Sequence, residues 1–483
     1  MSVMAEEVPH TDDVFVGGRW QSARGDDRTV VSPVTGAEVR TVRLASAEDA
    51  SDAVAAAHEA QAQWASAPAV DRVAACERWL AEVDAQEPEL SRLWAIEAGF
   101  PIRHGRALHR YAAVPAWRAA LDGAAEVLAD DERESPLGPV IMTHEPVGVV
   151  LAILPYNGPV VTIASKVIPA LLAGCPVVIK AARETHLTMA VVADCARRAG
   201  FPPGVISVIT SETEVTRRIT RDPRVSHVSL TGGHRAGQDV ISATAPRYAR
   251  THLELGGKSA GIILDDASLD AVMRILVPAA TNGAGQVCAL LSRVLVPERR
   301  RDEILDRMVA EWSRLRLGDP LDPSTQIGPL VNEAAFERTR AAVDTAVADG
   351  GTVVSGGGRP EGFESGWYFS PTIVAGVAES ASIVGTEVFG PVTVVQTFTD
   401  VDDAVRQANA TEFGLSGAVF TTDTAAGIDI ARRIEAGSVA VNAFGPVTSE
   451  PFGGVKSSGW GRESGADAIL GFTELKQILV GAA

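Results

Sequence analysis

Apolar residues recur at spacings of three and four between residues 46 and 99, in Ala- and Val-rich runs, and predict amphipathic helices starting at Ser46 and Asp71. From residue 148 the rhythm changes. Apolar β-branched runs at 148–154, 176–180, 205–209, 226–230 and 252–255 alternate with helical stretches at 160–173, 187–199, 212–221 and 235–244. Strands separated by helices of this length imply right-handed βαβ crossovers and a parallel, doubly wound sheet, which takes ligands beyond the carboxyl ends of its strands. A second alternating block has strands at 261–264, 294–296 and 392–398 and helices at 269–281, 300–315 and 333–348, predicting a second α/β unit. A charged stretch at 130–145 with Pro and Gly reads as a β-ribbon or a linker, and a boundary falls near it. The tail at 472–480 partly alternates in polarity and reads as an edge strand, paired either within the chain or with a partner.

Length, 483 residues, asks for two or three domains, and 46% hydrophobic with 22% charged residues is the composition of an ordinary globular protein. A net charge of -18 repels nucleic acid and anionic membranes. Residues 1–13 are acidic and lack the basic and apolar regions of a secretory signal. The longest apolar stretch, 167–179, is shorter than the about 20 residues of a membrane helix and contains Pro169, Gly174 and Pro176, so it reads as buried core. The four cysteines, Cys76, Cys175, Cys195 and Cys288, have no paired spacing, which suits a reducing cytoplasm and supports neither a disulfide framework nor a zinc site.

After the first strand of the nucleotide-type block a GxGxxG fingerprint is absent, and Leu154-Pro155-Tyr156-Asn157-Gly158-Pro159 stands in its place. Thr231-Gly232-Gly233 lies at a later strand-to-helix junction, where free backbone N–H groups hold a phosphate or the glycines simply make a tight turn. A lone Cys288 is most often a small buried hydrophobe and a lone Glu254 a solvated or paired carboxylate. Their motifs say more together. Pro155-Tyr156-Asn157, Val178-Ile179-Lys180, Thr231-Gly232, Glu254-Leu255-Gly256-Gly257-Lys258, Gly285-Gln286-Val287-Cys288 and Glu387-Val388-Phe389-Gly390-Pro391 follow in order, and Pro451-Phe452-Gly453-Gly454 and Ser458-Gly459-Trp460-Gly461-Arg462-Glu463 close the series. From about Phe15 to Lys476 the chain resembles the NAD(P)-dependent aldehyde dehydrogenase superfamily.

The resemblance implies an α/β fold with two doubly wound parallel-sheet domains. Residues 1–125 and 147–256 would form a Rossmann-like cofactor domain, 257–457 a catalytic domain, and 126–146 with 470–483 a small β extension for homodimer or homotetramer assembly. It also implies oxidation of an aldehyde by a thiolate that adds to the carbonyl, loses hydride to the cofactor and leaves a thioester. Cys288 is then the nucleophile and Asn157 with the Cys288 N–H the oxyanion donors. Glu254 is the base for hydrolysis, and Lys166 and Glu463 pass the proton outward. The chemistry requires no metal. Cofactor positions carried over are Leu154, Pro155, Tyr156, Lys180, Arg183, Gly204, Gly232, Gly233, Gly237, Leu255, Glu387 and Phe389.

Three departures from the family pattern bear on the cofactor. Tyr156 stands where tryptophan is usual, Gly233 where serine is common, and Arg183 where NAD users carry a glutamate. A cation at 183, beside Lys180 and with no carboxylate expected nearby, either suits the 2′-phosphate of NADP or points into solvent. Gly158, Thr162 and Ser165 stand where larger side chains are frequent, and with Val287, Phe444 and Phe452 they predict a roomy pocket for bulky or long apolar aldehydes. Phe444 or Trp460 refilling that space is the competing expectation. Two other functions stay open, a coenzyme-A-acylating semialdehyde dehydrogenase and a catalytically retired member acting as a binding or structural protein.

Overall fold

The computed structural model describes residues 8–445 and 447–481, so the outermost ends of the expected first and last segments lie outside the described residues. An eight-stranded sheet has at its centre five parallel strands in the spatial order Ile206–Thr210, Val177–Ala181, Val149–Ile153, Val225–Thr231 and Arg250–Glu254. The chain winds outward in one direction for the first three strands and in the other for the last two. The direction reverses between Val149–Ile153 and Val225–Thr231, and the loops leaving that pair diverge to open a crevice at their carboxyl ends. This topology supplies the ligand crevice without a GxGxxG turn.

Helices cover both faces of the sheet. Ser46 caps Ala47–Ala65 through a capping box with Asp49, as its position predicts. The next helix, Ala69–Ala85, begins two residues before Asp71, because Pro68 ends the preceding turn and Asp71 falls in the first turn instead. The helix expected at 160–173 is interrupted. Pro159–Thr162 and Ile168–Ala173 are α-helical, and Ile163–Val167 between them is π-helical, a widened turn common at functional sites.

The second sheet has seven strands, six of them parallel, in the order Thr352–Ser355, Thr372–Ala375, Val392–Phe398, Arg293–Pro297, Ala260–Ile263, Ser416–Phe420 and Ser438–Val441. The charged stretch near 130 forms a ribbon. Asp131–Arg133 and Thr473–Leu479 flank Val140–Pro146 antiparallel, so the tail strand pairs within the chain. Among the described residues no helix is long and apolar enough to cross a membrane.

Candidate active site

Beyond the reversal point lies a cavity of about 420 Å³. One wall comes from residues 155–157, which follow Val149–Ile153, and another from Thr231, Gly232 and Gly233, which follow Val225–Thr231. Cys288, Glu387 and Phe389 close the far side. Gly233 is the N-cap of His234–Thr244, and a Cβ built on it meets nothing within 4 Å, so the free N–H groups of that helix start face open space suited to an anion. Farther along the sheet edge a second cavity, about 170 Å³, lies between Thr213–Thr220 and His234–Thr244, with Ile153, Leu230, Val240 and Lys180 in its lining. The two cavities are neighbours along the carboxyl edge of the sheet, Lys180 lining the second and Ala182 the first. Burial pushes the Lys180 ammonium down to about 8.

Arg183 does not stand free of carboxylates. Its Nη1 donates to Glu212 Oε2 at 2.6 Å, and Arg28 approaches the other oxygen of Glu212 at 3.5 Å. The expectation of an unopposed cation here is therefore corrected: Glu212, which follows the Ile206–Thr210 strand, neutralises it. The pairing is tertiary, 29 residues apart, and invisible to a reading of the local motif.

The thiol sits at the end of a strained turn. Gly283, Ala284 and Gly285 take φ of 60°, 53° and 77°, all left-handed, and Phe389 across the cavity has φ 54°. A Cβ on Gly285 would lie 2.0 Å from the Gly390 carbonyl oxygen, so the turn packs directly on the Phe389 backbone segment. Gln286 ties the site together: its carbonyl accepts from Asn157 Nδ2 at 2.8 Å, and its side-chain oxygen accepts from the Val331 N–H at 3.0 Å and from the Tyr156 hydroxyl at 3.3 Å. One amide proton of Asn157 is thereby held and the other left for a ligand. The Glu387 carboxylate rests on the Gly257 N–H at 3.0 Å. Burial, with the charges of Glu387, Glu254 and Glu463, pushes the Cys288 thiol up to about 12, so it rests protonated.

Behind the thiol the buried Lys166 Nζ pairs with Glu463 Oε2 at 2.8 Å and lies 3.4 Å from Ser229 Oγ. Lys166 owes its direction to the π-helical turn. Glu254, 2% exposed, sits 3.4 Å from His252 Nε2, and burial together with the Glu463 charge raises its carboxyl well above the ordinary range. A thiol, two amide or backbone donors and a buried high-pKa carboxyl make a site for acyl chemistry.

The sequence profile of the aldehyde dehydrogenase family matches residues 20–478. The chain belongs to the aldehyde dehydrogenase family. It is 35% identical over 469 residues to the geranial dehydrogenase of Castellaniella defragrans, covering 96% of this chain and 98% of that one. The crystal structure of a Mycobacterium tuberculosis aldehyde dehydrogenase complexed with NAD+ is similar with a TM-score of 0.95 and 36% identity, over 97% of this chain and 98% of the other. The structure of an E. coli NADP dependent enzyme has a TM-score of 0.94 and 30% identity, over 98% of each chain.

Among the family motifs some residues stand apart from the cleft. Leu154 is buried in the sheet core and donates its N–H to the Lys180 carbonyl at 3.0 Å, whereas Pro155 and Leu255 line the main cavity. Gly204 and Gly237 line neither cavity; their Cβ positions fall on Ala56 and on the Leu255 side chain, so close packing explains both glycines. Thr162 and Ser165 are buried, Thr162 Oγ1 donates to the Gly158 carbonyl at 2.9 Å, and Phe444 packs against the core of the second sheet. The pocket residues left are Gly158, in a slot of about 30 Å³ with Trp94 and Leu108, Val287 in a space of about 20 Å³ beside Cys288, and Phe452, packed on Ala289 and Cys288. Gln286 and Arg338, which lines the main cavity, were not marked as site residues by sequence; the signal for Gln286 was its place inside the cysteine motif.

Proposed function

We propose that this aldehyde dehydrogenase oxidises a bulky or long apolar aldehyde to its carboxylic acid, with Cys288 as nucleophile, Asn157 as oxyanion donor and Glu254 as base. The observation that carries the reading is the convergence of Cys288, Asn157 and Glu387 on one cavity while Glu254 lies in the proton-bearing cluster behind the thiol. The cleft fits a nicotinamide dinucleotide. Lys180 and the apolar slot would hold the adenosine, the helix start at Gly232 and Gly233 the pyrophosphate, and Glu387 with Phe389 the nicotinamide ribose. Bound there, the cofactor supplies the acceptor for the hydride.

Cys288 Sγ, its proton released to water in the open cavity, forms a bond to the aldehyde carbon. Asn157, through its unheld amide proton, and the Cys288 N–H donate to the oxygen as it becomes negative. With hydride gone, carbon and sulfur share a thioester. Glu254 takes a proton from water as the water oxygen bonds to that carbon, the C–S bond breaks, and the departing thiolate takes a proton from solvent. The proton on Glu254 leaves by way of Glu463 and Lys166. Because Glu212 neutralises Arg183, NAD+ is the favoured cofactor, with NADP+ accepted less well.

The apolar substrate class is supported by the apolar side chains of Val287 and Phe452 beside the thiol. Geranial, for which one relative is named, is an aldehyde of that class. A homo-oligomer is supported by exposed Leu475, Ile478 and Leu479 on the edge strand Thr473–Leu479.

The test is a panel of aldehydes with NAD+ or NADP+, with and without coenzyme A, following absorbance of the reduced cofactor and identifying the acyl product. The expected result is free acid, no dependence on coenzyme A and the highest kcat/KM for long apolar aldehydes. An acyl-coenzyme-A product overturns the hydrolytic step, and no cofactor reduction with any aldehyde overturns the enzymatic reading.

A further inference from the structure

Alternate residues of a strand share a face, and on the paired strands Val225–Thr231 and Arg250–Glu254 one face is apolar and the other polar. Val228, Leu230, Leu253 and Leu255 on one side join an apolar core. On the other side stand His227, Ser229, His252 and Glu254, all buried, with Lys166 above them. Ser229 and His252 are directly paired in the register, so the Lys166 ammonium that contacts Ser229 looks across at the His252 ring.

His252 is 3% exposed and packs against two parts of the proton-handling cluster. Its Nε2 is 3.4 Å from Glu254 Oε1. The same edge of the ring packs on the backbone of Gly461: a Cβ there would lie 2.6 Å from His252 Cδ2 and 3.0 Å from Nε2, and φ of Gly461 is +91°. Gly461 is two residues before Glu463, the partner of Lys166. One imidazole thus touches both the carboxyl that must take the proton and the loop that must pass it on.

We propose that His252 is a positioning residue for Glu254, donating from Nε2 to the Glu254 carboxylate and seating the 461–463 loop so that Glu254, Glu463 and Lys166 stay in proton-transfer register. The inference rests on Glu254 acting as the hydrolytic base. The charged and titratable groups facing the ring are Glu254 on its own strand, His227 on the neighbouring strand, Lys166 on the π-helical turn, and Arg462 and Glu463 on the loop. Burial and the nearby Lys166 keep the ring neutral, so it holds Glu254 without competing for its proton. A donor to the ionised carboxyl also favours that form, which is the one that acts as base.

The experiment compares His252→Leu, His252→Asn and His252→Gln with wild type in stopped-flow and steady-state assays over pH. The Gln amide reaches the place of Nε2; Leu lacks a donor and Asn is too short. For Leu and Asn the expected outcome is a burst of reduced cofactor within about twofold of wild type, with steady-state kcat near neutral pH about tenfold lower, the size of one carboxyl interaction. The acid limb of the kcat profile should move up by about one pH unit as the donor is lost. His252→Gln should restore both. Asn serves if Leu does not fold. A soluble Leu or Asn variant with wild-type kcat and limb overturns the inference, as does a burst slowed as much as turnover, or failure of Gln to restore a limb that Asn has moved. Wild type without cofactor reduction overturns the functional reading itself, a result distinct from all of these.

Discussion

The two sides of the cleft use glycine for opposite ends. At 232–233 the turn is left open: Gly233 has empty space where a Cβ would be, and Gly232 meets the flexible Leu230 side chain at 3.2 Å and the Ala236 methyl at 3.7 Å. On the thiol side the glycines are wedged. A Cβ on Gly256 would lie 2.2 Å from Glu387 Oε2, and one on Gly285 2.0 Å from the Gly390 oxygen. The first turn is small so that a ligand can approach the N–H groups from Gly233 onward, and the second is small so that the Glu387 carboxylate and the Gly390 carbonyl can press on backbone and bring Cys288, Glu387 and Phe389 to one wall. Glycine in a motif therefore reports close approach without saying what approaches.

Substitutions can break or sharpen that contrast, starting with the thiol side. Gly285→Ala should destabilise the protein by about 3 kcal/mol or more and abolish turnover, read by melting temperature and cofactor reduction, because both the left-handed φ and the 2.0 Å approach forbid a methyl group. Cys288→Ala should abolish oxidation yet keep the wild-type melting temperature and cofactor binding by fluorescence titration. In the free wild-type enzyme, alkylation of Cys288 by iodoacetamide should rise about tenfold per pH unit between pH 7 and 10, since a thiol held up near 12 gains thiolate throughout that window. A plateau near pH 8 would show an activated thiol at rest.

Next comes Glu254→Gln. Acylation and hydride transfer do not need the carboxylate, so the burst of reduced cofactor should survive while steady-state turnover falls by about 10² to 10⁴. Loss of the burst would make Glu254 the activator of the thiol as well.

On the open side the effects shrink. Glu212→Gln frees Arg183 and should move the kcat/KM ratio toward NADP+ by about tenfold, whereas Arg183→Glu should move it the other way. A ratio unmoved by both changes would remove the pair from cofactor choice. Gly233→Ser, into empty space, should change KM for the cofactor by about threefold or less and leave stability unchanged. If it unfolds the protein, the distinction between the two turns is wrong.

Much of the architecture was legible because it is written in local periodicity. The βαβ alternation from residue 148 and the capping Ser46 depend on neighbours along the chain, and both are found where the pattern predicts them. The motifs carried the family. What failed were statements about neighbours in space. Arg183 reads as unopposed in the local motif because Glu212 lies 29 residues away on another loop, and Thr162 and Ser165, expected in the pocket from the family resemblance, are buried.

By itself the amino-acid order determined the βαβ alternation from residue 148, which thiol stands in a reactive motif, and, through short motifs in a fixed order, that the chain is an aldehyde dehydrogenase. Tertiary structure alone decided which charges meet. Lys166 reaches Glu463 across nearly three hundred residues, His252 touches the loop at 461, and Arg183 is answered by Glu212. The physical reason is range: hydrogen-bonding pattern and side-chain period are set within a few residues, whereas Coulomb interactions and burial depend on distances that exist only after the chain has folded.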